Sequence, residues 1–311
     1  GYNVNMSKYI RLSKGFNKYE MVPATEDIYQ KIDKNTPHYK SLYFYEDTHI
    51  DQYNKTKSVA GIRGLKTDKL IFDFDSSSDI NSARKDALTL CGRLLNEGVK
   101  EDDFRIYFSG SKGFHIELKT QDEFNRQEYE SILNNLAGDL PTLDKKVTDE
   151  QRLFRIPLTK HQKTGLYKIP ISFTELSHDS IESITEKAKE VNLEQMEMVD
   201  SQPSVELPPK IREYKKVVDL KTDVIKPEVT LDNETGKYTD LDFTRCPKHM
   251  RPERWALAQG YFEAGERNEA LHVLATTYRA LGYTENETFY LLKAAADNQA
   301  KRTGQQVYSD K

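Results

Sequence analysis

The chain has 311 residues, 37% of them hydrophobic and 31% charged, with a formal net charge of -4. These values are typical of a globular protein with room for one large catalytic domain and a smaller one, and they exclude a fibrous protein. No stretch approaches the roughly 18 apolar residues of a membrane-spanning helix, and no apolar signal core follows Gly1, so we expect a cytoplasmic protein. The two cysteines, Cys91 and Cys246, are too few for a disulfide framework. Because the net charge is acidic, any affinity for nucleic acid must be local.

The first 60 residues show little hydrophobic periodicity, except that residues 40–45 predict a short strand. Its aromatic side chains are equally compatible with base stacking and with a core position. They are Tyr43, Phe44 and Tyr45. Residues 70–74 then predict a buried strand, and residues 80–96 predict a helix that has Cys91 in its apolar face and Gly98 as its stop signal.

Residues 104–108 and 114–118 predict two further strands joined by a glycine-containing turn. Because a helix connects the strand at 70–74 to the strand at 104–108, we expect these two to be parallel within one sheet, with the third as an antiparallel neighbour. A helix is predicted around residues 123–140, and residues 153–156 and 167–172 predict one more hairpin. The predicted fold class is α/β (α+β), with helices packed on a mixed sheet.

The composition changes between residues 196 and 240, where prolines are scattered among charged residues, and we predict a linker or strap. Beyond it the apolar residues have helical spacing, and Thr284 with Glu287 forms a capping-box pattern. We therefore predict a catalytic domain over residues 1–195, a linker over 196–240 and a helix-bundle domain over 241–311.

The strand at residues 70–74 ends in two carboxylates, Asp73 and Asp75. Side chains at positions i and i+2 of a strand point to the same face, so these two can share one cation. Oxygen ligands of this kind suit Mg²⁺ or Mn²⁺. By itself, so short a pattern more often marks a strand that ends in an acidic surface turn.

The turn between the next two strands reads Ser-Gly-Ser-Lys-Gly-Phe-His over residues 109–115. Two glycines, hydroxyls and a lysine predict an anion cradle of the kind that suits a triphosphate. It is not a Walker A loop, because the glycine-lysine order and the following helix are missing. The candidate side chains are Ser109, Ser111, Lys112 and His115, although His115 also fits an ordinary half-buried strand position.

A third carboxylate, Asp144, precedes the strand that carries Arg155, and His161 and Lys163 follow in the next loop. Residues 151–174 contain five lysines or arginines and no acidic residue, a composition that also fits a solvated surface. A two-metal phosphoryl-transfer site requires a third carboxylate and cations near the triphosphate.

In this order the motifs resemble those of the archaeo-eukaryotic primase superfamily. The resemblance covers roughly residues 40–175 and implies an RRM-like catalytic domain. It implies that Asp73, Asp75 and Asp144 bind two Mg²⁺ or Mn²⁺ ions and carry out catalysis. It implies further that Ser109, Ser111, Lys112, His115, Arg155, His161 and Lys163 contact the incoming NTP or dNTP.

The chain departs from the cellular primase pattern in two respects. Arg155 stands where cellular subunits often have lysine, and no cysteine-rich insertion follows Asp75, while Cys246 and His249 supply at most half a zinc site. The compact layout and the helical C-terminal segment are similar to phage and plasmid primase-polymerases, which often precede a helicase.

The sequence therefore predicts a metal-dependent primase-polymerase that acts on a single-stranded DNA template in phage or plasmid replication. We expect a helicase domain or subunit as a further partner and no association with a membrane. Two alternatives stay open. One is a primer-extending repair polymerase of the same superfamily, and the other is a non-catalytic nucleic-acid-binding module.

Overall fold

The computed structural model describes residues 7–15, 18–25, 27–30, 32–216 and 241–304. The chain forms two compact units, Gly1–Ala87 with Glu101–Leu207 and Leu88–Lys100 with Pro208–Lys311. Residues 217–240, more than half of the predicted linker, lie outside the described residues, and the predicted domain boundaries remain predictions. In the described part of the chain, no helix is long and apolar enough to cross a membrane.

The strands of the first unit form two sheets. They are β1 (Tyr9–Lys14), β2 (Lys18–Pro23), β3 (His38–Ser41), β4 (Thr67–Asp75), β5 (Phe104–Phe108), β6 (Gly113–Phe124), β7 (Leu153–Arg155), β8 (Ile169–Ile171) and β9 (Ser204–Val205). The first sheet has the order β2-β1-β3-β7, and the second has the order β4-β6-β5-β8 with β9 paired to β6.

The helices of the described residues complete the fold. They are α1 (Asp47–Thr56), α2 (Ile80–Asn96), α3 (Arg126–Ala137), α4 (Phe173–His178), α5 (Ile181–Lys187), α6 (Leu193–Asp200), α7 (Pro209–Tyr214), α8 (Pro252–Ala258), α9 (Arg267–Ala280) and α10 (Glu285–Thr303). The sequence-based expectation of a mixed α and β protein with a helical C-terminal part is confirmed. Single 3-10 turns connect several of these elements.

The second sheet confirms the predicted strand directions. Strands β4 and β5 are each antiparallel to β6, so they are parallel to each other, as expected from the helix that joins them. Strand β6 lies between them because it pairs with β5 through the tight turn and with β4 along most of its length. Asp73 consequently pairs with His115 and Asp75 with Gly113 at the end of β4.

The hairpin predicted from residues 153–156 and 167–172 is wrong. Strand β7 pairs with β3 in the first sheet, whereas β8 pairs with β5 in the second. Each is three residues long and pairs with a strand of a different sheet, so the intervening loop passes from one sheet to the other.

The aromatic residues after β3 belong to the core. Tyr43 and Tyr45 are fully buried and Phe44 is 5% exposed, which excludes base stacking by these rings. The Tyr43 hydroxyl donates to the carbonyl oxygen of Thr148 at 2.6 Å. Here the core interpretation, one of two left open by the sequence, is the correct one.

Helix α3 packs against the second sheet and fixes the middle of β4. Asn125 and Glu128 form a capping box at its start. The hydroxyl of its buried Tyr129 accepts from the amide of Ile71 at 2.8 Å and donates to the carbonyl oxygen of the same residue. Strand β4 is thereby anchored two residues before Asp73.

The second unit contains the C-terminal part of α2 together with α7–α10. Thr284 caps α10 in a capping box with Glu287, as predicted, and Cys91 is buried within α2, also as predicted. Lys293 on α10 donates to Thr89 on α2 at 3.1 Å. Gly98, at a φ of +98°, follows the end of α2.

Candidate active site

Asp73 and Asp75 lie at the end of β4 together with His115 of β6. Donor atoms of the three side chains lie within 4.8 Å of one another, and among the described residues this is the group of three or more potential ligands that can hold a metal ion. Asp73 Oδ1 is 3.2 Å from His115 Nε2. Cys246 and His249 belong to no such group in the described part of the chain.

The electrostatics of this group suit a divalent cation. Burial and the repulsion from the neighbouring Asp73 carboxylate raise the pKa of Asp75 to about 7. Burial, with Lys168 as the next cause, holds the pKa of His115 well below its usual value, which leaves the imidazole neutral and able to act as a ligand. The two carboxylates are oxygen ligands of the kind that fits Mg²⁺ or Mn²⁺.

The backbone brings the third carboxylate, Asp144, beside the same strand end. The Asp144 amide donates to the Asp73 carbonyl oxygen at 2.8 Å, and the Asp75 amide donates to the Thr142 carbonyl oxygen at 3.0 Å. Asp86 of α2 holds this segment, because its Oδ2 accepts from the amide and the hydroxyl of Thr142 at 2.9 and 2.6 Å. Asp144 Oδ1 accepts from the Lys146 amide at 2.9 Å.

Arg152 enters this site although sequence reasoning assigned it no role. Its Nη2 lies 3.0 Å from Asp144 Oδ2 and 3.4 Å from Asp73 Oδ2, so one nitrogen connects the two carboxylates. The guanidinium also lies 5.3 Å from the centre of the Phe154 ring. The sequence offered one signal for it, because Arg152 is one of the five lysines and arginines of the basic segment 151–174.

The turn after β5 is built around Ser109. Its buried hydroxyl oxygen accepts from the amides of Ser111 and Gly113, each at 3.2 Å, so these two amides are occupied within the turn. The predicted cradle therefore exposes fewer amides than expected. Lys112 is exposed and Ser111 half-buried, and their proposed contacts with phosphates remain predictions.

Gly113 is required where this turn meets β4. A Cβ at this position would collide with the Phe74 carbonyl oxygen and approach Asp75 Oδ1 to 2.5 Å. The absence of a side chain thus allows the turn to pass directly over the acidic strand end.

Residues 155–168, which we call the basic loop, lie next to the turn. The Thr164 hydroxyl donates to the Gly110 carbonyl oxygen at 2.6 Å and links the loop to the turn. Within the loop, the His161 amide donates to the Leu166 carbonyl oxygen at 2.7 Å, and His161 Nδ1 accepts from the Lys163 amide at 3.1 Å. His161 Nε2 is the ring atom that these bonds leave for a ligand.

The charges of the basic loop converge on His161. Burial is the largest cause of its lowered pKa, followed by the positive charges of Arg155, Lys163 and Lys112, which belong to the loop and to the turn. Arg155 is itself buried, its Nε has no hydrogen-bond partner among the described residues, and burial lowers its pKa to about 10. A buried, incompletely bonded guanidinium favours an anionic ligand.

Lys168 is a second buried cation that sequence reasoning did not assign to the site. Its Nζ donates to the Arg155 carbonyl oxygen at 3.2 Å and lies 4.9 Å from the centre of the Tyr107 ring. Burial lowers its pKa to about 8. The basic segment is therefore more than a solvated surface, since two of its cations are buried beside the carboxylates.

Two curated relatives of this chain are DNA primase small subunits. The DNA primase small subunit PriS of Thermoplasma volcanium is 27% identical over 192 residues, which cover 56% of this chain and 55% of the relative. The PriS of Pyrobaculum aerophilum is 25% identical over 235 residues, which cover 57% of this chain and 73% of the relative. No family model matches the chain.

These relationships are to primase small subunits, and the primase-type motifs of this chain meet at one strand end. The curated relatives and the order of the motifs support membership of the archaeo-eukaryotic primase superfamily. The chain spans about half the length of its Thermoplasma relative. The AEP domain of the cyanophage S-2L primase-polymerase is a structural neighbour with a TM-score of 0.34 and 16% identity, and the match covers 64% of this chain and 90% of that domain.

Proposed function

We propose that this protein is a metal-dependent primase-polymerase that synthesises primers on single-stranded DNA. The observation that supports this most directly is that ligand atoms of Asp73, Asp75 and His115 lie within 4.8 Å of one another, beside a loop with buried cations. The relatives, which are DNA primase small subunits, support the same activity. Use in phage or plasmid replication and a helicase partner are further parts of this proposal.

The acidic side of the site would hold two ions, Mg²⁺ or Mn²⁺, through Asp73, Asp75 and Asp144. When bound, such ions stabilise the attacking and the leaving oxygens of the displacement at the α-phosphate. The chain's contribution is to keep Asp73 and Asp75 on one face of a strand that is anchored on both edges and by Tyr129, with Asp144 hydrogen-bonded to its edge. Positioning of this kind accounts for most of the rate in phosphoryl-transfer enzymes.

The basic side would hold the incoming NTP or dNTP. Arg155 and His161 are directed to the phosphates in this proposal, and Lys112 and Lys163 add exposed positive charge. These cations compensate the charge of the triphosphate and of the departing pyrophosphate. Ser109 shapes the turn, and Ser111 and His115 complete the proposed nucleotide contacts.

The test is synthesis on single-stranded DNA without a primer, with NTPs or dNTPs and with Mg²⁺ and Mn²⁺ compared. We expect labelled primers from the wild-type chain and none from Asp73→Asn. Asp68→Asn, near the start of the same strand and away from its acidic end, is the matched control and should keep full activity. Products from Asp73→Asn at the wild-type level, at equal thermal stability, would refute the proposal. Synthesis that requires an added primer would favour the repair-polymerase alternative.

A further inference from the structure

Arg152 occupies the position between two of the carboxylates that the proposed function assigns to metal binding. Its Nη2 lies 3.0 Å from Asp144 Oδ2 and 3.4 Å from Asp73 Oδ2. The other oxygen of Asp73 lies 3.2 Å from His115 Nε2 and has no hydrogen-bond partner among the described residues, whereas the other oxygen of Asp144 accepts from the Lys146 amide. A cation bound by Asp73 Oδ2 and Asp144 Oδ2 therefore has to replace the guanidinium on these two oxygens.

The side chain is placed so that it can leave without disturbing the fold. Its backbone is held by two bonds, from the Arg152 amide to the Asp149 carbonyl oxygen and from the Leu42 amide to the Arg152 carbonyl oxygen. The side chain itself is 32% exposed, against 4% for Asp73, and it lies over the Phe154 ring. An arginine with a fixed backbone, an open side and a planar ring beneath it can change partners by rotating its side chain.

The neighbouring anions decide which partner it takes. Without a divalent cation, Asp73 and Asp144 attract the guanidinium, which offsets their mutual repulsion. A nucleoside triphosphate in the adjoining site brings several negative charges and is an alternative partner for an arginine, which binds phosphate through paired hydrogen bonds.

We propose that Arg152 is an exchangeable counter-ion that makes metal binding depend on the nucleotide. With no nucleotide, Arg152 competes with the divalent cation for Asp73 and Asp144. With a nucleotide bound, it moves to the phosphates and releases both carboxylates. This inference rests on the proposed function, and it adds an order of binding in which metal affinity rises sharply when the triphosphate arrives.

The experiment measures Mn²⁺ affinity by electron paramagnetic resonance of the free ion, with and without a non-hydrolysable α,β-imido deoxynucleoside triphosphate. The quantity of interest is the ratio of the two Mn²⁺ dissociation constants, which is the coupling between metal and nucleotide. The variants are Arg152→Gln, Arg152→Lys and, as a matched control, Arg126→Gln. Arg126 also pairs with a carboxylate, Glu130 at 3.1 Å, but on the exposed surface of α3.

We expect Arg152→Gln to bind Mn²⁺ about tenfold more tightly than the wild type when nucleotide is absent, because a competing positive charge is gone. Its coupling ratio should fall by about tenfold. Arg152→Lys should stay within about threefold of the wild type, since one nitrogen makes both contacts and a lysine nitrogen can replace it. Arg126→Gln should match the wild type. If Arg152→Gln does not fold, Arg152→Met tests the same loss of charge with a more apolar side chain.

Wild-type affinity and coupling in Arg152→Gln would overturn the inference. Weaker Mn²⁺ binding by this variant would also overturn it, because Arg152 would then organise the ligands rather than compete with the ion. Asp73→Asn distinguishes an error in the proposed metal site from an error in the proposed role of Arg152. If Asp73→Asn binds Mn²⁺ like the wild type, the proposed metal site itself is wrong; if it loses binding while Arg152→Gln is unchanged, only the role of Arg152 is wrong.

Discussion

The carboxylates at the end of β4 and the basic loop lie side by side but are held in different ways. Asp73 and Asp75 belong to a strand that pairs with β6 over most of its length and is fastened by Asp144 and Thr142 on its other edge. The basic loop, in contrast, crosses between the two sheets and is joined to the turn through the bond from Thr164 to Gly110. One half of the site is thus built on a sheet and the other on a connection.

This difference indicates how the two halves contribute to the proposed reaction. Metal ligands on a strand have little freedom, so a change there should abolish activity rather than adjust it. A loop can adapt to substrates, so changes of its exposed cations should alter affinity by degrees. Arg155 and Lys168 are exceptions within the loop, because both are buried.

The largest effect is expected at the strand end. Asp75→Asn should lower the rate of nucleotide incorporation by more than about 1,000-fold, because charge stabilisation by the ions is the main source of rate in this chemistry. The measurement is single-turnover incorporation, with thermal unfolding to show that the variant is folded. If a folded Asp75→Asn variant kept at least one tenth of the wild-type rate, the carboxylates at the end of β4 would not be rigid, essential metal ligands.

Arg155→Met should lower kcat/KM for the nucleotide by about 100-fold, mostly through KM, because it removes a charge-assisted contact with phosphate. Methionine has a comparable volume, so the fold should persist. Arg126→Met is the control for loss of an arginine elsewhere. An unchanged nucleotide KM in Arg155→Met would remove Arg155 from the phosphate site.

Lys168→Met is expected to change how stability depends on pH. The folded chain binds the Lys168 proton more weakly than the unfolded chain, with a pKa of about 8 against 10.5, so this lysine makes the unfolding free energy rise as pH rises between these values. From pH 7.5 to 10, the wild type should gain about 2 kcal/mol relative to Lys168→Met. Urea unfolding at several pH values measures this, with the exposed Lys163→Met as control. If the unfolding free energy of Lys168→Met depended on pH as that of the wild type does, burial would not lower the pKa of Lys168.

Gly113→Ala tests the close approach of the turn to the strand end. The added Cβ would displace the Phe74 carbonyl oxygen, so we expect a loss of about 1–2 kcal/mol in unfolding free energy and about tenfold in incorporation rate. Gly265→Ala, where a Cβ meets no atom within 4 Å, is the control. Wild-type stability and rate in Gly113→Ala would mean that the turn is free to shift.

The smallest effect is expected for Lys163→Met, which removes an exposed cation of the loop. Exposed charges contribute at most about 1 kcal/mol, so nucleotide KM should rise no more than about fivefold. The rise should shrink at high ionic strength because salt screens exposed charges. A loss as large as that of Arg155→Met would show that the loop closes over Lys163 during the reaction.

Sequence patterns predicted a large part of this structure where the signal is local. The alternation that puts Asp73 and Asp75 on one face of β4, the helix that ends near Gly98 and the capping box at Thr284 all follow from neighbouring residues and were confirmed. Local patterns predicted the strands at 153–155 and 169–171 but paired them wrongly, since strand pairing between distant segments is decided by the whole sheet.

The sequence by itself determined which residue types stand at the proposed site, because the order of the motifs is a property of the chain. Only the tertiary structure placed Arg152 between Asp73 and Asp144 and buried Lys168 beside Tyr107. It likewise grouped Leu88–Lys100 with the C-terminal helices, although these residues continue a helix that begins in the first unit. Such contacts join residues that are far apart in the chain, and the free energy of burying and pairing them depends on the packed fold, which periodicity and motif spacing do not contain.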